Sequence, residues 1–169
     1  MKTRKLNLGS GRDVREDYIN LDYIDYPGID VVHNWDHLPL PFPDDYFDEV
    51  LMLDVLEHIP HRVEGVDGEF FIALVNDLIR ISRTGCRWTI ESPRHPNALR
   101  SSCHTRLISP TTFEPWYPSE VHLQIGLENH VVPKALIPKY NKRIWNWNIR
   151  DLSRFGKLFR GRLVLEVRK

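Results

Sequence analysis

Short apolar runs alternate along this chain with polar breaks rich in proline and glycine, and the runs come in two periods. Residues 4–8 and 18–22 alternate between apolar and polar, which predicts two short strands. Ile29-Asp30-Val31-Val32-His33 is rich in β-branched residues and predicts a third strand. Asp48 to Leu53 is apolar enough to lie inside a sheet and predicts a central fourth strand. The period then changes. Apolar residues at 70, 71, 74, 75, 78, 79 and 81 share one face of a helix, which Thr84-Gly85 is expected to end with Gly85 in a left-handed terminal position. Cys86 to Glu91 predicts a fifth strand. The apolar runs 121–127 and 130–137 predict two more, the second ending before Pro138, and Leu163 to Val167 alternates as the last.

The breaks carry their own signals. Asp13 to Tyr18 is short and polar, with room for about one helical turn. Asp25-Tyr26-Pro27-Gly28 is turn chemistry, and Pro39, Pro41 and Pro43 stiffen a loop over 34–47. Asp54 to Ile59 starts a helix that Pro60 cuts off. Ser92-Pro93 opens a polar loop, after which Ser109 is expected to cap a short helix with Pro110 at its first position. This order predicts a doubly wound α/β sheet, mostly parallel, with an antiparallel strand near the C-terminus. Ligands of such sheets bind at the carboxyl ends of the strands. Gly9–Gly11, Asp22, His33–Trp35 and Leu53–Asp54 all fall at such ends and are expected to converge.

Leu6-Asn7-Leu8-Gly9-Ser10-Gly11 is an apolar run stopped by a Gly-x-Gly turn, and Tyr18-Ile19-Asn20-Leu21 ends on Asp22. Glycines let the chain bend with positive φ and approach a ligand closely, and a carboxylate accepts from a ribose diol. The dinucleotide fingerprint wants a third glycine and an acid about 20 residues on. Here position 14 is Val14 and Asp22 comes eleven residues after Gly11. A nucleoside without a pyrophosphate fits better.

Composition narrows the field. The 169 residues suit one domain, 1–169, and the 27% charged content suits a soluble fold. No apolar stretch approaches the ~18 residues of a membrane span, and a cytoplasmic location is the expectation. Cys86 and Cys103 form no metal spacing and no disulfide framework. The 23 basic and 23 acidic residues balance, but not locally. Residues 1–80 hold seventeen acids against seven bases, and residues 133–169 hold eleven bases against two acids. The basic segment 134–162 carries Tyr140, Trp145 and Trp147 among its charges, a pattern that would hold phosphates and stack bases. Nucleic acid is therefore a possible partner.

Four stretches together resemble the class I S-adenosylmethionine-dependent methyltransferases, nearest to the small type-11-like branch. They are Leu6 to Gly11, Ile19-Asn20-Leu21-Asp22, Leu40-Pro41-Phe42-Pro43-Asp44-Asp45-Tyr46-Phe47-Asp48 and Val55-Leu56-Glu57-His58-Ile59. The match runs from residue 4 to about 93, and more loosely over the end strand. It implies S-adenosylmethionine as cofactor, with S-adenosylhomocysteine as product. Gly9, Ser10 and Gly11 would pass under its methionine part. Asp22 would bind the ribose, with Tyr23 beside the adenine. Asn34 and Trp35 would stand where the family reads the adenine amino group, with Asp36 the rival, and Leu53 and Asp54 would approach from the fourth strand. Asn7 stands where the family often has an acid, the third motif glycine is Asp13, and the first helix is abbreviated.

The donor already carries a good leaving group, so the protein mainly aligns donor and acceptor. His58 is the first candidate for a general base, since a histidine titrates near neutrality. Asp54 is a second catalytic candidate or a backbone-positioning residue. Glu57 reads as a structural hydrogen-bond partner. His104 and Arg106 resemble a His-x-Arg element that would sit over the acceptor, a small molecule or a glycan. His58 with His61, and His33 with His37, have ligand-like spacings. Pro60 interrupts the first pair and a strand end the second, so no metal is expected. Two other classes remain open: a nucleic-acid methyltransferase or binder, and a non-catalytic scaffold that keeps the pocket.

Overall fold

The computed structural model describes residues 4–66, 68–93, 101–109, 112–113, 136–138 and 160–167. These contain seven strands in one sheet: β1 (Lys5–Leu8), β2 (Ile19–Asp22), β3 (Val31–Val32), β4 (Phe47–Leu53), β5 (Ser82–Pro93), β6 (Leu136–Pro138) and β7 (Arg160–Val167). Their spatial order is β3-β2-β1-β4-β5-β7-β6. The first five run parallel, and β7 lies antiparallel to both β5 and β6. The doubly wound, mostly parallel sheet expected from the pattern is thus present.

The two faces of the sheet differ in chemistry. In register, Leu6, Val50, Trp88 and Leu165 form one row across β1, β4, β5 and β7, and Leu8, Met52, Ile90 and Leu163 form the next. All eight are buried. α1 (Phe70–Ile81) covers this face with Phe70, Phe71, Leu74, Val75, Leu78 and Ile81. Burying such side chains contributes roughly 1.5–3 kcal/mol each and accounts for the position of the core. Asp77 and Arg80, on the rim of α1, hold the proline-rich loop against it. Asp77 Oδ2 accepts from the Leu40 amide at 2.7 Å, and Arg80 donates to Asp77 Oδ1, to the Phe42 carbonyl and to Asp44 Oδ1 at 2.6, 2.8 and 2.8 Å.

The opposite face is more polar, with the buried Leu51 among its polar positions. Lys5, Glu49, Arg87 and Glu166 lie side by side across four strands with alternating charge, an arrangement that favours pairing. Asn7 and Asn20, partners across β1 and β2, form the next row with Leu51 and Thr89. The β1–β2 connection covers the asparagines without a helix. Asn7 Nδ2 donates to the Asp13 carbonyl at 2.8 Å and to Asn20 Oδ1 at 3.1 Å. Asn20 Oδ1 accepts from the Arg15 amide at 3.0 Å, and Asn20 Nδ2 donates to the Arg15 carbonyl at 3.1 Å. Buried amides need such partners, and here the loop backbone supplies them.

Several elements differ from expectation. The one helical turn expected over 13–18 is a series of turns, because the asparagines bind the loop backbone in place of helical bonds. The helix over 54–59 is a single 3-10 turn, Leu56–His58. The helix over 70–81 ends at Ile81, not at Thr84-Gly85. Ser82 turns extended and already pairs with Phe47. Gly85, at φ +86°, instead lies in a register shift of β5 between the pairs Phe47–Ser82 and Glu49–Arg87. A tertiary bond fixes this early exit: Ser82 Oγ donates to the Leu78 carbonyl at 2.7 Å and accepts from Trp88 Nε1 at 2.9 Å. β3 is shorter than 29–33, and Pro138 lies inside β6, not after it. The expected strand over 121–127 and most of the basic segment fall outside the described residues, as does Pro110.

Candidate active site

Each parallel strand hands its chain to the same edge of the sheet. There β1 is followed by Gly9-Ser10-Gly11, β2 by Tyr23, β3 by His33-Asn34-Trp35, and β4 by Asp54 and the 3-10 turn, while β5 ends on Ser92-Pro93. The convergence expected from the sequence is present for all of these.

Gly9 and Gly11 both have positive φ, +63° and +53°, a region that disfavours side chains. Their surroundings differ. A Cβ on Gly9 would stand 2.6 Å from Val55 Cγ2 and 2.9 Å from the Trp35 ring, so Gly9 lets the ends of β3 and β4 close over β1. A Cβ on Gly11 would meet nothing within 4 Å. The open side of the turn is therefore at Gly11. Asp22, 4% exposed, ties this turn to β2. Its Oδ2 accepts from the Gly11 amide at 2.8 Å and its Oδ1 from the Ile24 amide at 3.0 Å. Each carboxylate oxygen has a second accepting site.

Tyr23, 57% exposed, meets Trp35 edge-on with ring centroids 5.9 Å apart, so the two aromatics wall one side of the mouth. Asn34 is exposed, and its Oδ1 accepts from the Asp36 amide at 3.1 Å in a local turn. Leu53, half-buried, pairs with Glu91 of β5. Asp54 adopts φ +54°, unusual for a non-glycine residue, and its amide donates to the Glu91 carbonyl at 2.9 Å. That kink re-aims the chain after β4 into the 3-10 turn.

Among the described residues, Ser10 Oγ, Asp36 Oδ1, both Glu57 oxygens and Ser92 Oγ are buried without a partner in strict hydrogen-bond geometry. They lie on segments that end or follow β1, β3, β4 and β5. Buried polar atoms are almost always paired, and these gather at one edge of the sheet. Asp36, the rival of Asn34 in the sequence reading, is the one with a buried oxygen to offer.

Glu57 is 1% exposed, and among the described residues its carboxylate has no partner in strict hydrogen-bond geometry. Burial pushes its carboxyl up to about 6. Its own backbone amide opposes this, the Asp54 charge adds to it, and His104 and the neighbouring Ser92 hydroxyl pull it back. The His58 and His104 rings meet edge-on, centroids 4.8 Å apart. His58 Nδ1 lies 3.2 Å from the Cys103 carbonyl. A carbonyl only accepts, so Nδ1 carries a proton there.

The 101–109 loop is fastened to the turn beneath it. The Thr105 amide donates to the Glu57 carbonyl at 2.8 Å and Thr105 Oγ1 to the Ile59 carbonyl at 2.5 Å. Arg106 belongs to this fastening and not to the His58–His104 cluster. Its guanidinium donates to the Ile59 and Pro60 carbonyls at 3.2 and 3.3 Å and to Glu69 Oε1 at 2.8 Å, over the Phe71 ring. Ser92 was missed in the sequence. The signal available was its place at the end of a strand next to the 3-10 turn, which only the sheet order reveals. Arg162, counted in the basic segment, is ion-paired with Glu91 on the adjacent strand.

No family model and no curated protein matches the chain. Solved structures do. A SAM-dependent methyltransferase from Archaeoglobus fulgidus aligns at TM-score 0.54 and 15% identity, over 99% of this chain and 86% of that one. This is the fold of the class I S-adenosylmethionine-dependent methyltransferases. An S-adenosylmethionine-dependent methyltransferase from Mesorhizobium loti aligns at TM-score 0.51 and 12% identity, over 96% and 90% of the two chains. The chain spans 59% of the length of YcgJ from Bacillus subtilis, at 18% identity and TM-score 0.47. At these identities the likeness extends to the methyltransferase fold. No helix among the described residues is long and apolar enough to cross a membrane.

Proposed function

We propose that the chain binds S-adenosylmethionine at the carboxyl edge of β1 to β4 and transfers its methyl group to a small-molecule or glycan acceptor. The observation that carries this is the gathering of unpartnered buried polar atoms at that edge, beside a Gly-x-Gly turn already tied to a carboxylate. When bound, the cofactor supplies an activated methyl group on a sulfonium.

The residues present fit that ligand. Asp22 has accepting capacity left for two ribose hydroxyls. Gly9, Ser10 and Gly11 would lie along the methionine part, where Gly11 leaves open space and Ser10 Oγ offers a polar contact. Tyr23 and Trp35 would flank the adenine, with Asn34 or Asp36 accepting from its amino group and Leu53 packing beneath. His58 and His104 would face the acceptor. Asp54 acts through backbone placement, and Arg106 holds the His104 loop in position.

Calorimetric titration with S-adenosylhomocysteine tests this. Micromolar or tighter binding is expected. Asp22→Asn removes one charged acceptor and is expected to cost about tenfold or more in affinity. No binding at millimolar ligand would overturn the reading, and unchanged affinity in the variant would remove Asp22 from the ribose role.

A further inference from the structure

We propose that Glu57, His58 and His104 form a binding site for a borderline divalent cation of the zinc class. One ligand atom from each lies within 4.8 Å of the others. Zinc-type bonds of about 2.0–2.2 Å place ligand atoms about 3.4 Å apart. Binding would draw in the exposed His58 and the half-buried His104 to that spacing.

Three independent features point the same way. First, Glu57 is buried, and among the described residues neither carboxylate oxygen has a partner in strict hydrogen-bond geometry, while a second acid, Asp54, lies nearby. A buried carboxylate is costly unless it is paired or coordinates a cation. Second, the Nδ1 proton of His58 is already committed to the Cys103 carbonyl, which leaves Nε2 as the lone-pair nitrogen. A ligating histidine typically donates its other ring N–H to a carbonyl or carboxylate, which fixes its tautomer and orientation. Third, the two ligand-bearing segments are locked together. Thr105 donates to the Glu57 and Ile59 carbonyls, so His104 is held against the turn that carries Glu57 and His58.

The donor set fixes the class of ion. Two imidazoles and one carboxylate suit zinc or a neighbouring transition metal and not magnesium or calcium, which prefer all-oxygen shells. The set uses neither of the histidine pairs with ligand-like spacing in the sequence. The partner of His58 comes from 46 residues further on. At this corner a cation could also bind an acceptor oxygen and ease loss of its proton. That last role rests on the methyl-transfer reading; the cation site itself does not.

The test is calorimetric titration of EDTA-dialysed protein with zinc chloride, and separately with magnesium chloride. One zinc per chain, bound at micromolar affinity or tighter, is expected, with no magnesium binding. Glu57→Gln and His104→Ala should each weaken zinc binding at least about tenfold, while His37→Ala, outside the cluster, leaves it unchanged. Circular dichroism establishes that the variants fold. Should they not, the visible absorption of the cobalt-loaded wild-type chain reports nitrogen and oxygen ligation directly. Absence of zinc binding, or binding that both variants leave unchanged, overturns the proposal. Zinc binding without S-adenosylhomocysteine binding would sink the methyl-transfer reading and keep this one. The reverse result would do the opposite.

Discussion

Gly9 and Gly11 offer a controlled comparison, because both have positive φ and only one is crowded. Alanine at either position pays for the left-handed backbone, roughly 1–2 kcal/mol. At Gly11 that is the whole cost, since its Cβ would meet nothing within 4 Å. At Gly9 the new methyl would stand 2.6 Å from Val55 Cγ2 and 2.9 Å from the Trp35 ring, and both must move. Overpacking of this kind adds about 1–3 kcal/mol. Gly9→Ala is therefore expected to lose about 3 kcal/mol and Gly11→Ala about 1 kcal/mol. For a chain of this size the corresponding falls in Tm are roughly 6–12 °C and 2–4 °C. Chemical denaturation with a common slope measures the difference. The order should reverse for ligand: Gly11→Ala intrudes on the open side of the turn and should weaken S-adenosylhomocysteine more per unit of lost stability. Equal losses of stability in the two variants would refute the claim that Gly9 serves the closure of Trp35 and Val55 over β1.

Two further outcomes follow from other titratable groups. Burial and the Glu49 carboxylate push the Tyr18 hydroxyl, which donates to Glu49 Oε1 at 2.8 Å, up to about 12. The folded chain then holds this proton more tightly than the unfolded one. Its contribution is complete below pH 10 and is lost as pH rises from 10 to 12, so denaturation midpoints should fall more steeply over that window in the wild type than in Tyr18→Phe. Matching slopes would show that Glu49 does not hold the proton. Cys86 is buried, and burial pushes its thiol up to about 11, whereas Cys103 is exposed. A colorimetric thiol reagent at pH 8 should modify Cys103 rapidly and Cys86 only on unfolding; fast reaction in Cys103→Ser would contradict the burial of Cys86.

The strands and α1 were legible because each has a period of its own: 6, 8 and 19, 21 alternate, and 70 to 81 steps by three and four. The site edge was legible for the same reason, since it follows from where parallel strands end. What was hidden depended on contacts between distant residues. Gly85 looked like a helix terminator, yet the exit of α1 is fixed by Ser82 bonding Leu78 and Trp88. Arg106 carries the same charge whether it faces an acceptor or Glu69, and only the fold chooses Glu69. The Glu57–His58–His104 cluster joins a turn to a loop more than 40 residues away, with no periodicity to announce it.

The departures from the family pattern explain one another through the polar face of the sheet. Parallel sheets are usually covered by helices on both faces. Asn7 needs hydrogen-bond partners instead, and so does Asn20 beside it. The loop over 9–18 gives its Asp13 and Arg15 backbone groups to these two amides and so cannot also form a helix. Further out, Lys5, Glu49, Arg87 and Glu166 continue the face as alternating charges. The shortened connection also shapes the site. Asp22 shares this face with Asn20 two residues before it, so the same tight loop that satisfies the asparagines brings the Gly11 amide within 2.8 Å of Asp22. The helix-free connection and the tied glycine turn are thus two results of the same pair of buried asparagines.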